Sequence, residues 1–175
     1  MFKKKKKEYP KQIFLTTEYQ FKKYISDPKK IVMRSSWEEE FFLLLMKRKD
    51  VIQVGSENVV IPYQTFDNKP HRYYMDFFFK VREKTGKIVD YIVEIKPFKE
   101  TQVPKKGKNL ITYKKQTETY LKNIRKWEAA INWAFQYGYK FRLLTDNPFK
   151  RNRYKLWHWE DSQLRLPLNI LNIRK

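Results

Sequence analysis

Two β-rich runs, residues 72–82 and 87–95, meet at Glu83-Lys84-Thr85-Gly86, and this pair constrains the fold more than any other feature of the chain. A three-residue hairpin loop ends in a left-handed residue, where glycine pays no Cβ penalty. Placing Lys84-Thr85-Gly86 in the loop sets Glu83 opposite Lys87, Lys80 opposite Asp90, and Asp76 opposite Glu94. Opposite charges facing each other across a strand pair stabilise it, so Lys80 and Asp90 support this register. Upstream, Ser35-Ser36-Trp37-Glu38-Glu39 opens a helix, with a capping box at either Ser35/Glu38 or Ser36/Glu39. The helix runs to about Lys49, and helical periodicity gathers Trp37, Phe41, Leu44, Leu45 and Arg48 on one side. Glu38 and Glu40 flank that stripe, and Glu39 points away from it. A short strand is expected at residues 58–63, a long helix at 112–137 closed by Gly138, and a strand at 140–145 stopped by Asp146-Asn147-Pro148. Helix, three strands, helix, strand is the order of an α/β or α+β domain, a mixed β-sheet flanked by helices.

Charge narrows the partners. The chain of 175 residues carries 39 Lys+Arg against 19 Asp+Glu, a formal net charge of +20. That balance points to a polyanion, nucleic acid before a membrane surface; the plain alternative is a solvated lysine surface. Aromatic residues make up 17% of the chain, too many for one that merely stays unfolded. The lack of cysteine excludes disulfides and cysteine-based zinc sites. No apolar run approaches the roughly 18 residues of a membrane helix. The start, MFKKKKKEYP, lacks the apolar segment of a secretory signal. The expected organisation is a basic arm over 1–26, a folded domain over 27–147, and an extension over 148–175 with a candidate strand at 154–159.

Chemistry concentrates at Glu94-Ile95-Lys96. Alternate side chains of a strand share a face, so Glu94 and Lys96 point one way while Val89, Tyr91, Val93 and Ile95 face the core. The hairpin register brings Asp76 beside Glu94, with Cβ atoms roughly 5 Å apart. Two carboxylates so close repel unless a proton or a cation lies between them. An all-oxygen donor set favours a hard ion, Mg²⁺ or Mn²⁺. Lys96 beside such an ion can orient water or stabilise charge on a phosphate, and Glu38 can supply a further ligand. The competing reading is a wet strand face that carries Glu and Lys with no ion at all.

Eight blocks, in order, carry a resemblance: Asp27-Pro28-Lys29-Lys30-Ile31, Arg34-Ser35-Ser36-Trp37-Glu38, Val60-Ile61-Pro62-Tyr63, Arg72-Tyr73-Tyr74-Met75-Asp76, Glu94-Ile95-Lys96-Pro97, Lys99-Glu100-Thr101-Gln102, Lys126-Trp127-Glu128-Ala129-Ala130 and Phe141-Arg142-Leu143-Leu144-Thr145. They resemble the head completion nucleases of T-even-type tailed phages, a branch of the PD-(D/E)XK restriction-endonuclease-like nucleases. The resemblance implies a restriction-endonuclease-like core over 27–147 with N- and C-terminal extensions. It implies a metal-dependent DNA endonuclease or exonuclease of phage head completion, cleaving or trimming packaged DNA before head–tail joining. The implied cofactor is Mg²⁺ or Mn²⁺, with no small-molecule cofactor. The implied partners are double-stranded DNA and the phage head and portal–neck proteins, with no membrane. The implied setting is the virion and the host-cell cytoplasm during assembly. By position, Asp76, Glu94, the Ile95 backbone carbonyl and Glu38 hold the metal, and Lys96 is the catalytic lysine. Met75 stands where the motif's name has proline, a position that shapes backbone. Two rivals remain: a non-catalytic basic DNA-binding head plug or neck adaptor, and a host restriction or repair nuclease.

Lys99, Lys105, Lys106 and Lys108 follow the acids in a loop punctuated by proline and glycine, and Arg72 precedes Asp76. These five are candidate contacts to DNA phosphates, against a simply solvated loop. His71 receives no catalytic role. Trp127 lies on the apolar stripe of the long helix and is assigned to the core. Its neighbour Lys126 is a candidate to face DNA, against the plainer reading of a solvated lysine. Trp157 and Trp159 alternate on the candidate strand and suit burial or an interface better than stacking on bases.

Overall fold

The computed structural model describes residues 9–145. Its chain reverses at Gly86, which takes the left-handed conformation at φ 82°. Glu83 N–H donates to the Lys87 carbonyl at 2.8 Å, and Gly86 N–H donates to that of Glu83 at 2.8 Å. The expected three-residue loop is therefore formed. In chain order the elements are β1 (Lys11–Gln12), α1 (Glu18–Lys23), β2 (Val32–Met33), α2 (Ser36–Lys47), β3 (Val51–Ser56), β4 (Val60–Gln64), β5 (Pro70–Tyr74), β6 (Phe77–Arg82), β7 (Ile88–Ile95), a 3-10 turn at Phe98–Thr101, α3 (Leu110–Tyr137) and β8 (Lys140–Leu144).

The main sheet has the order β3-β6-β7-β8. β6 and β7 pair antiparallel in the expected register, with Lys80 opposite Asp90 and Phe77 opposite Val93. The Lys80–Asp90 ion pair closes at 3.2 Å. β8 lies parallel to β7, which makes the sheet mixed. Both faces are covered. On one face Val89, Tyr91, Val93 and Ile95 of β7 pack with Phe77, Phe79 and Val81 of β6 and with Phe41, Phe42 and Leu45 of α2. Phe79 stacks on Tyr91 across the strands, ring centroids 4.9 Å apart. On the other face Phe78, Ile92 and Leu143 meet Ile124, Trp127, Ala130 and Ala134 of α3 and the β4–β5 pair. Truncating a buried ring such as Phe41 to alanine costs about 3–5 kcal/mol in such a core.

Several expectations need correction. The run 72–82 is two strands, because the chain changes partners in its middle. β5 pairs with β4, whereas β6 pairs with β3 and β7. At the step Met75 N–H bonds the Val59 carbonyl, and the Asp76 carbonyl accepts from Glu57 N–H. Five strands, not three, separate α2 from α3. β3 is not expected from the sequence because its register slips between Val51 and Gln53, so Val51 and Val54 are both buried while Ile52 is turned outward. Such a bulge erases the period of two that marks a strand. α1 is a further element not expected from the sequence, although Thr17 and Gln20 form a full capping box. Residues 9–24, assigned to the basic arm, hold β1 and α1 and place Tyr24 in the core.

The face of α2 is rotated from the expected stripe. Ser35 is the N-cap, its Oγ accepting from Glu38 N–H. Phe41 and Leu45 are buried as expected, but Phe42, Met46 and Glu39 are buried too, and Trp37 and Leu44 lie at the edge. Glu39, expected to point away, is 4% exposed and accepts from the Tyr9 hydroxyl at 2.6 Å and from Lys11 Nζ. The long helix begins at an Asn109 cap and ends at Gly138 with φ 74°, close to expectation. The lysines at 3–7 and everything from 146 on, with the candidate strand at 154–159, Trp157 and Trp159, lie outside the described residues.

Candidate active site

Asp76 stands at the step between β5 and β6, one position beyond the Phe77–Val93 pair, so the hairpin register carries it next to Glu94. Its Oδ2 accepts from the Ile95 N–H at 2.7 Å. Glu94 is 2% exposed. Lys96 Nζ lies 2.9 Å from Glu94 Oε1, which leaves Glu94 Oε2 buried with no hydrogen-bond partner. An orphaned carboxylate oxygen in an interior is costly unless a cation or donor meets it.

The electrostatics follow from that packing. Loss of solvation, then the charge of Glu94, hold the Asp76 carboxyl well above the usual carboxylate range. The Ile95 N–H and Lys96 pull the other way, and Glu38 adds to the rise. Burial works against the Lys96 ammonium, yet the charge and hydrogen bond of Glu94 outweigh it, so its pKa stays above the ordinary lysine value. Two acids share one lysine, and the cluster is short of positive charge.

Glu38 occupies the first turn of α2. Its Oε1 accepts from Ser35 Oγ and its Oε2 from Arg34 N–H, each at 2.8 Å. Its charge reaches Asp76, but its two oxygens also serve the helix cap. Among the described residues, no three acidic or histidine side chains form a metal-holding group. The acids brought side by side are Asp76 and Glu94, with the Ile95 backbone carbonyl adjoining them in sequence. Hard oxygen donors and one unmet carboxylate oxygen fit Mg²⁺ or Mn²⁺.

The candidate DNA contacts are all exposed. Lys99 is exposed on the 3-10 turn, and Lys105, Lys106 and Lys108 are exposed on the loop leading to α3. Arg72 is exposed on β5, opposite Pro62. His71 packs against the Tyr63 ring, centroids 5.5 Å apart. Trp127 is 1% exposed and belongs to the core as expected. The surprise is Lys126, whose Nζ lies 4.8 Å from the centroid of the Tyr73 ring, inside the electrostatic reach of Glu94, Asp76 and Lys96. Its presence in the Lys126-Trp127 block was the signal available in the sequence.

Residues 48–146 match the family model described as TnsA-like endonuclease N terminal. The chain is 41% identical over 139 residues to the head completion nuclease of Enterobacteria phage T4, spanning 76% of this chain and 90% of that one. No solved structure matches it. The family match takes in Asp76, Glu94 and Lys96, and the mixed sheet between helices is the architecture expected from the sequence. The chain belongs to the TnsA-like endonuclease family, whose fold is restriction-endonuclease-like, and is a relative of that head completion nuclease.

Proposed function

We propose that the protein is a metal-dependent DNA nuclease of phage head completion, which cleaves or trims packaged DNA before the tail joins. The carrying observation is the acid pair, Glu94 buried and Asp76 half-buried, which has Lys96 bound to Glu94 and leaves one carboxylate oxygen unmet. Mg²⁺ or Mn²⁺ held by Asp76, Glu94 and the Ile95 carbonyl would supply Lewis-acid activation of a phosphodiester and of water. Water attacks phosphorus, one P–O ester bond breaks, and a phosphate monoester and a hydroxyl end remain. Lys96, kept protonated by Glu94, stabilises negative charge growing on the phosphate oxygens. Glu38, from α2, adds a carboxylate beside Asp76. The exposed Lys99, Lys105, Lys106, Lys108 and Arg72 hold backbone phosphates without reading sequence.

Similarity to the T4 head completion nuclease supports the assembly setting. The partners are then double-stranded DNA and the head and portal–neck proteins, met in the host-cell cytoplasm and the virion. The test is purified protein on supercoiled plasmid with Mg²⁺, with Mn²⁺ and with EDTA. Nicking should need a metal, and Asp76→Ala or Glu94→Ala should abolish it while the fold persists. Wild-type nicking by a well-folded Asp76→Ala protein would remove the proposed site. Tight DNA binding without cutting under any of the three conditions would favour the head-plug reading instead.

A further inference from the structure

Lys126 is unlike the other lysines near the acids. It sits on α3 directly before Trp127, half-buried, with its ammonium over the face of Tyr73. Among the described residues it has no carboxylate partner and no hydrogen bond. Tyr73 is a rigid seat, 2% exposed, with its hydroxyl in the neighbourhood of the Glu94 carboxylate. A cation over an aromatic face is held in place, the more firmly as it loses water. Burial pulls the Lys126 ammonium below the usual lysine range; Glu94 draws it back up, and Lys96 and Lys122 push it down again. Lys96 is already paired with Glu94 at 2.9 Å. Lys126 is therefore the cation at this centre with no anion of its own, in a position where an arriving phosphate would provide one.

The same helix supplies a path. At about 100° per residue, Lys115, Lys122 and Lys126 fall within roughly 40° of one another around α3. They extend over about 16 Å, the axial rise of roughly five base pairs of duplex. Lys115 and Lys122 are exposed. The stripe leads from the free half of α3 to the acid pair.

We propose that Lys126 is a second cationic contact to the phosphate being cut, at the end of a lysine rail formed with Lys122 and Lys115 that holds the backbone of duplex DNA. The inference rests on the nuclease reading and adds to it a residue of the cleavage site. Its ligand is a phosphodiester, recognised by charge alone.

The experiment uses the full chain and a fluorescent duplex. Binding is measured in EDTA at several salt concentrations, and single-turnover cutting is measured with Mg²⁺ at saturating protein. Each phosphate contact contributes about 0.9 to the log–log salt slope, so Lys126→Gln should lower that slope by about 0.9. Its single-turnover rate should fall about 100-fold, the scale of removing one transition-state donor. Lys126→Arg should keep the salt slope, and thermal melting of both variants checks that the fold persists. Lys87→Gln removes the same charge from the distant hairpin and should leave slope and rate alone. An unchanged slope in Lys126→Gln overturns the proposal. So does a lowered slope with an undiminished rate, which would place the contact away from the scissile phosphate. A wild-type protein that cuts nothing would instead overturn the nuclease reading beneath it.

Discussion

Asp76 is less solvated in the folded protein than in the unfolded chain, and Glu94 adds a second negative charge beside it. Both effects raise its pKa on folding, so the native state holds this proton more tightly than the unfolded state does. The stability the group contributes is complete below the ordinary carboxylate pKa and is lost as pH rises through the raised native value. In EDTA at neutral pH, Asp76→Asn should therefore melt a few degrees above wild type, and the gap should close toward pH 4. Adding Mg²⁺ should reverse the order, because a ligand that binds only the native state stabilises the chain that retains its site. Thermal unfolding across pH, with and without metal, checks both halves. If Asp76→Asn melted at or below wild type in EDTA, the repulsion between the acids would be refuted. Asp76, Glu94 and Lys96 were legible in the sequence because a hairpin register follows from its turn. Lys126 was legible only through its block with Trp127, since a helix lysine reads as solvated until the ring beneath it is known.

At the scale of elements, α2 shows where periodicity loses force. Phe41, Phe42, Leu43, Leu44, Leu45 and Met46 are consecutive apolar residues, so the helix has no single apolar stripe to set its phase. What sets it is contact with the rest of the fold, including Tyr9 and Lys11, whose donors meet Glu39 beneath the N-terminal segment. The two neighbouring glutamates consequently have different duties. Glu39→Gln should lower stability by about 1.5–3 kcal/mol, the worth of a hydrogen bond to a charged group, and leave cutting at saturating metal intact. Glu38→Gln preserves a side chain able to cap, so it should melt near wild type while cutting more slowly. Denaturant unfolding paired with plasmid nicking separates the two, and slower cutting at Glu39 than at Glu38 would give Glu39 the helix role. β3 and the β5–β6 step were hidden for a related reason. A bulge and a change of partner are tertiary events, and neither leaves a mark in local alternation.

Over the whole molecule, the proposed nuclease role divides the labour: the net charge of +20 would draw DNA in across a broad field, and the acid pair would act at one place. Those roles should come apart on truncation. Removing Lys3–Lys7 should weaken duplex binding and flatten its salt dependence, by up to about 0.9 for each phosphate the arm had neutralised. Single-turnover cutting at saturating protein should persist, since no arm lysine is assigned to the chemistry. A salt slope unmoved by the deletion would direct the arm toward a protein partner instead. The Gly86 hairpin has a consequence of another kind, for how such a chain can change over generations. Asp76 and Glu94 lie on the two arms of one turn, and each is positioned by its count of residues from that turn. Apolar exchanges along β6 and β7 leave the count intact. An insertion or deletion anywhere between the two acids shifts one arm against the other by a residue, and a one-residue slip turns a strand's side chains to the opposite face. The stretch between the acids can therefore vary in composition but not in length, unless both arms change together or the turn absorbs the difference.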